Sequence, residues 1–151
     1  MTEGRHPLTT GTLYRRRVAM AALEVMAQSY NVPLAQLTMA GRQRASVAFA
    51  RQMAMYLCHV VGGLSMREVS VEFGRERSTV SHACHAIEDR RDGEKFETQA
   101  QAMEAAMRAQ IARIHRDLVA AAKRRRRGEG KSFDGPGFKE RGRAFLHFLT
   151  D

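Results

Sequence analysis

The chain has 151 residues, 44% hydrophobic and 7% aromatic with no Trp, and a formal charge of +9. That apolar fraction excludes a disordered chain, and the abundance of helix formers over strand formers points to an all-α fold. The charge excess is shared, twelve Lys/Arg against eight Asp/Glu over residues 1–93 and thirteen against eight over 94–151, so the preferred partner is a polyanion, nucleic acid before membrane, with a merely soluble basic protein as the bland alternative.

Residues 1–12 read as a flexible polar arm holding Pro7 and two glycines. From Leu13 a helix is expected, with Val18, Ala22, Val25, Met26 and Tyr30 at helical spacing and Asn31 and Pro33 closing it. A helical turn "PLAQL" and the basic loop "MAGRQR" follow. Ala45 to Val61 is the most apolar segment and the predicted central helix, stopped by Gly62-Gly63. "SMRE" offers a capping box, Ser65 with Glu68, opening a helix that turns Val69 and Phe73 inward and stops at Gly74. Ser78 is the candidate N-cap of the next helix, which carries Val80, Ala83, Cys84 and Ile87. These elements make residues 13–93 one domain.

An amphipathic basic helix is expected within 94–127, starting near Glu97, with Met103, Met107, Ile111, Ile114 and Leu118 on one face. That face reads either as core or as a homodimer seam over 103–118. Residues 128–151 read as a linker and a short terminal helix through Phe138, Phe145, Leu146 and Leu149, which docks on its own domain or on a protein partner through 138–151.

The sharpest chemistry lies around Gly74. A helix-turn-helix needs a turn residue, apolar residues on both sides to pack the helices, and polar residues opening the second helix. Val69, Phe73, Val80 and Ala83 meet the packing requirement, and Arg75, Arg77, Ser78, Thr79 and Ser81 the polar one. Arg77 is suited to a bidentate contact with guanine, and Thr79 to a base edge. The bland counterpart is a helical hairpin with a solvated rim. Leu64 to Arg91 carries five arginines and five acids. The unit is therefore neutral, and phosphate attraction is expected from Arg42, Arg44, Arg51 and Arg15 to Arg17.

"ARQMAMYL" at 50–57, "LSMREVSVEFG" at 64–74 and "RSTVSHA" at 77–83 together resemble the DNA-binding domain, domain IV, of the bacterial chromosomal replication initiator DnaA. The resemblance spans about Val18 to Asp92. It implies that Arg42, Arg44 and Arg51 grip the backbone and minor groove. It also implies that Glu76, Arg77, Ser78 and Thr79 read the major groove beside Arg75, with His82 near the phosphates. Where that family typically has "GGRDHTTV" this chain reads "GRERSTV", one residue shorter. No G-x-x-x-x-G-K-[ST] phosphate loop occurs.

Cys58, His59, His82, Cys84 and His85 do not have metal-ligand spacing, so no metal and no cofactor are expected, and no arrangement suggests an enzyme. Cys58 and Cys84 read as reduced core thiols of a cytoplasmic, nucleoid-associated protein, with no apolar run near the ~18 residues of a membrane helix. The expected function is sequence-specific recognition of a DnaA-box-like or diverged site in transcription or replication initiation. The alternatives are a non-specific nucleoid-type binder and an adaptor acting through its C-terminal segment.

Overall fold

The computed structural model describes residues 11–39 and 44–128, and all its elements are helices: α1 (Thr12–Tyr30), α2 (Leu34–Thr38), α3 (Ala45–Val60), α4 (Met66–Phe73), α5 (Arg77–Arg90) and α6 (Glu94–Arg126). The arm over residues 1–10, Arg42, and the linker and terminal segment from residue 129 onward, including the 138–151 partner surface, lie outside the described residues. Among the described residues no helix is long and apolar enough to cross a membrane.

The apolar spacing of α1 and α3 explains their place at the centre. Val18, Ala22 and Met26 of α1 and Ala50, Met53, Ala54 and Leu57 of α3 are fully buried. Helix α1 packs against both α3 and α6, and α3 packs in turn against α5. Val60, expected within the α3 stripe, is 48% exposed because α3 ends there. Helix α6 begins at Glu94, three residues before the expected start, with Gly93 as its extended N-cap and Glu94 and Glu97 in its first turn. Acids there complement the partial positive charge of the helix start.

Met103, Met107 and Ile114 of α6 are buried, with Ile111 and Leu118 half-buried against the same cluster. Their face is covered by α1 of the same chain, so it serves the core. A second apolar contact joins three helices: Tyr30 of α1, Phe49 of α3 and Phe96 of α6 meet edge to face at centroid distances of 5.5 and 5.7 Å. The Arg90 guanidinium lies 4.4 Å over the Phe49 ring, a cation–π contact between the end of α5 and the start of α3.

Gly62 fills a role different from a plain helix stop. Its carbonyl accepts a 2.9 Å hydrogen bond from Tyr14 Oη, which fixes α1 against the end of α3. A Cβ at Gly62 would stand 2.5 Å from the Cys58 carbonyl oxygen and 2.6 Å from Val18 Cγ1. One of these contacts is backbone, so a rotamer change cannot relieve the clash. Gly62→Ala is therefore expected to destabilise the domain by about 1–3 kcal/mol through overpacking, read as a lower urea midpoint. A midpoint equal to that of the parent would refute the close approach.

Cys58 and Cys84 are free and buried. Burial is the main cause that pushes the Cys84 thiol up to about 11, with Glu88 adding to it, and the Cys58 thiol higher still. Both remain protonated core residues with little nucleophilic character.

Candidate nucleic-acid interface

The candidate interface draws on the α4–α5 turn, the start of α5, and the described residues on either side of the α2–α3 connection, up to Met39 and from Arg44. Helix α4 opens on the predicted capping box. The Glu68 backbone N–H donates to Ser65 Oγ at 3.1 Å, and Ser65 Oγ–H donates to Glu68 Oε1 at 3.1 Å. It closes at Gly74, whose φ of 58° and ψ of 36° place it in the left-handed region, where a side chain would be strained. Val69 and Phe73 before the turn and Val80, Ala83, Cys84 and Ile87 after it are buried together.

The helix cap differs from the sequence expectation. Glu76, extended at φ −66° and ψ 149°, is the N-cap of α5, and Ser78 is the second residue of the helix. Once Gly74 has reversed the chain, only Arg75 and Glu76 remain before Arg77 resumes helical geometry. The shortened turn thus brings the start of α5 forward by two residues. No side chain caps this start, so its first-turn N–H groups face outward and favour a nearby anion.

Arg75, Glu76, Arg77, Ser78, Thr79 and His82 are all exposed. Thr79 and Ser78 stand three and four residues before His82, so the three share one side of α5, opposite the buried Val80 and Ala83. The structure brings these six predicted residues into one continuous rim.

Arg44 is exposed at the N-cap of α3. Arg51, half-buried on the same helix, points back at the preceding connection. Its Nε donates to the Leu37 carbonyl at 2.8 Å, and its Nη2 donates to the carbonyls of Gln36, at 3.3 Å, and Met39. These acceptors are the end of α2 and the residue beyond it. Arg51 therefore anchors the connection that carries the basic loop. Burial, then the charge of Arg75, pulls the Arg51 guanidinium below its usual range.

Two features were not legible in the sequence as site elements. Glu72 of α4 is 3% exposed, with Oε1 4.0 Å from Arg15 Nε of α1. Burial is the largest influence on Glu72 and raises its carboxyl, while Arg16 and Arg15 oppose that rise. The arginines at the start of α1 are thus partly engaged by an acid of the helix-turn-helix. The second feature is Arg91, immediately after α5, whose guanidinium reaches α3 and α6 together. Among the described residues no group of three or more His, Cys, Asp and Glu side chains could hold a metal ion.

Two short helices joined by three residues, packed through a shared apolar face and presenting an uncapped second helix with a polar rim, define a helix-turn-helix domain. Residues 15–87 match the family described as the bacterial DnaA protein helix-turn-helix. That segment, from α1 through most of α5, is a DnaA-type helix-turn-helix. The chain is similar to the chromosomal replication initiator protein DnaA of Corynebacterium aurimucosum, 38% identical over 83 residues that make up 54% of this chain and 15% of that protein. It is likewise similar to the chromosomal replication initiator protein DnaA of Symbiobacterium thermophilum, 36% identical over 74 residues, 48% of this chain and 16% of that one. The chain thus spans only a small part of the length of these relatives. No solved structure matches significantly.

Proposed function

We propose that this protein binds double-stranded DNA and reads a DnaA-box-like or diverged site with the start of α5, acting in the control of replication or transcription initiation. The observation that carries the reading is the uncapped start of α5, with Arg77, Ser78 and Thr79 exposed beside Arg75 on a helix-turn-helix of the DnaA type. In this reading Arg77 and Thr79 contact base edges in the major groove, and Glu76 accepts from a cytosine amino group. The first-turn N–H groups take a phosphate. Arg44 and Arg42 contact the backbone or minor groove, and Arg51 acts by holding the connection that carries them.

The neutral balance of the α4–α5 unit shapes how the reading works. With equal numbers of arginines and acids over Leu64 to Arg91, the unit adds little sequence-independent attraction. Its contribution is discrimination between sites.

Selection from a random duplex pool at near-physiological salt should return a defined motif. Arg77→Ala is then expected to lose about 1–3 kcal/mol on the best selected site, roughly 5- to 150-fold in Kd, with little change on random duplex. Equal losses on both DNAs would remove Arg77 from base reading, and a pool that yields no motif would overturn specific recognition.

A further inference from the structure

Charge is distributed along α6 in a way that neither the core nor the helix-turn-helix requires. Glu94 to Met107 holds three acids and one lysine, whereas Arg108 to Gly128 holds eight cations and a single acid, Asp117. Asp117 is itself engaged by Arg17 Nη2 at 2.7 Å. That hydrogen bond is the first cause holding its carboxyl below the usual range, and Arg113 and Arg116 add to it. The family match ends at residue 87, before α6 begins.

Among the described residues the basic end lies beyond the packed part of α6. Helix α6 runs antiparallel to α1: Met103 lies with Ser29 and Tyr30 of α1 around one groove, and the His115 ring meets that of Tyr14 at a tilt, centroids 5.2 Å apart, near the other end. Ile114 is the last buried residue of α6, and Lys123, Arg124, Arg125, Arg126 and Arg127 are the run that follows it to the helix end, with the four arginines exposed. At 1.5 Å per residue the run lies about 13–20 Å beyond Ile114, past the first turn of α1.

Complementing the helix dipole accounts for a cation or two in the last turn, but that influence fades within a turn. It does not reach Arg108, Arg113 or Arg116. Lys123 stands three and four residues before Arg126 and Arg127, and Arg124 three before Arg127. Like charges at those spacings destabilise a helix unless counter-charge is supplied.

The geometry points to a second, sequence-independent DNA contact: the basic half of α6, centred on Lys123 to Arg127, binds the phosphate backbone of duplex DNA separately from the reading rim at α5. It rests on the DNA-binding function proposed above. The partner is a duplex because the chemistry required is a dense array of phosphates around a cluster of four guanidinium groups and an ammonium gathered in the last turn of α6 and its C-cap, on a helix that packs against α1 of the DNA-reading domain. Duplex DNA carries one charge per about 1.7 Å of axis. The division of labour follows, with α5 selecting and α6 holding.

The test compares the full chain with a variant in which Lys123 and Arg124 to Arg127 are all glutamine, on random-sequence duplex over a salt series. The slope of log K against log salt should become shallower by about 0.9 for each phosphate no longer neutralised, up to about 4.5 for five. The selected-to-random affinity ratio should stay unchanged, because the rim at α5 is intact. Replacing the four arginines by lysine should retain the slope, since charge is what the interaction uses. If the steeper wild-type slope is absent on a duplex just covering the selected site and restored on a longer one, the run touches the flank of the same duplex. Capture of a labelled second duplex would instead show a bridge. An unchanged slope in a glutamine variant of normal helicity overturns the proposal while leaving the α5 reading standing. A slope that falls only with single-stranded RNA as ligand overturns it in favour of RNA. Loss of the ratio with an unchanged slope in Arg77→Ala supports the separation of the two surfaces.

Discussion

Phe73→Ala is expected to destabilise the domain by about 3–5 kcal/mol, the largest effect of any substitution in the helix-turn-helix. Phe73 is the last residue of α4, 4% exposed, immediately before the left-handed Gly74. Its ring is part of the cluster that includes Val69, Val80 and Ala83, so it joins the two helices that the turn connects. Truncation leaves a cavity where the backbone can collapse least, because Gly74 and the Ser65 cap fix both ends of α4. A domain of this size has about 5–15 kcal/mol to lose. The variant should therefore unfold at a much lower urea concentration with a similar m-value, and DNA binding should fail as the folded fraction falls. Phe73→Leu, which retains most of the volume, should recover the greater part. A loss of less than about 1 kcal/mol in Phe73→Ala would show that the ring does not hold the helices together.

What the sequence reveals about this region, and what it hides, follows from the range of the interactions involved. Val69, Phe73, Val80, Ala83, Cys84 and Ile87 announce themselves by helical spacing, and Gly74 by the break between two such patterns; all are local signals. Sequence favours Ser78 as the cap of α5 because serine is the better capping side chain, whereas the shortened turn makes Glu76 the extended residue and leaves the cap without a side-chain bond. Gly62 reads in sequence as half of a Gly-Gly stop, since its close approach to Val18 joins residues 44 positions apart. Arg51 carries the same lesson: its motif points to the DNA, but only the fold reveals its bonds to three carbonyls 12–15 residues earlier. The rim at 75–82 is legible because one helix start carries it. Its anchors are not, because each depends on a partner brought in from elsewhere in the chain.

Arg91→Met is expected to cost about 2–3 kcal/mol, at or just below the range of about 3–5 kcal/mol for breaking a fully buried ion pair, because the arginine is partly exposed. Its Nε and Nη2 donate to Glu97 Oε2 and Oε1, both at 2.7 Å, and its Nη1 donates to Tyr56 Oη at 2.7 Å and to Glu104 Oε1. One side chain thereby joins the end of α5, the middle of α3 and the first turns of α6. Methionine can fill the space of the stem but leaves the carboxylate of the 9% exposed Glu104 without its nearest cation, with Arg108 3.9 Å away as a weaker partner. Acid titration supplies an independent readout. The hydrogen bonds from Arg91, then Gln101, hold the Glu97 carboxyl at about 2, against an ordinary value of 4.5. A carboxyl depressed in the folded state contributes stability that is complete above the ordinary value and is lost as pH falls toward the folded one. Wild-type stability should therefore decline between about pH 4.5 and pH 2, and Arg91→Met should show a shallower decline over that window. Adding Glu104→Leu to Arg91→Met should recover part of the loss at neutral pH, since the stranded carboxylate is then gone. Equal stability of wild type and Arg91→Met, with superimposable acid profiles, would show that the node does not fasten α6 to the domain. Because α6 also carries the basic run, loosening this node should weaken binding to random duplex more than the discrimination made by α5.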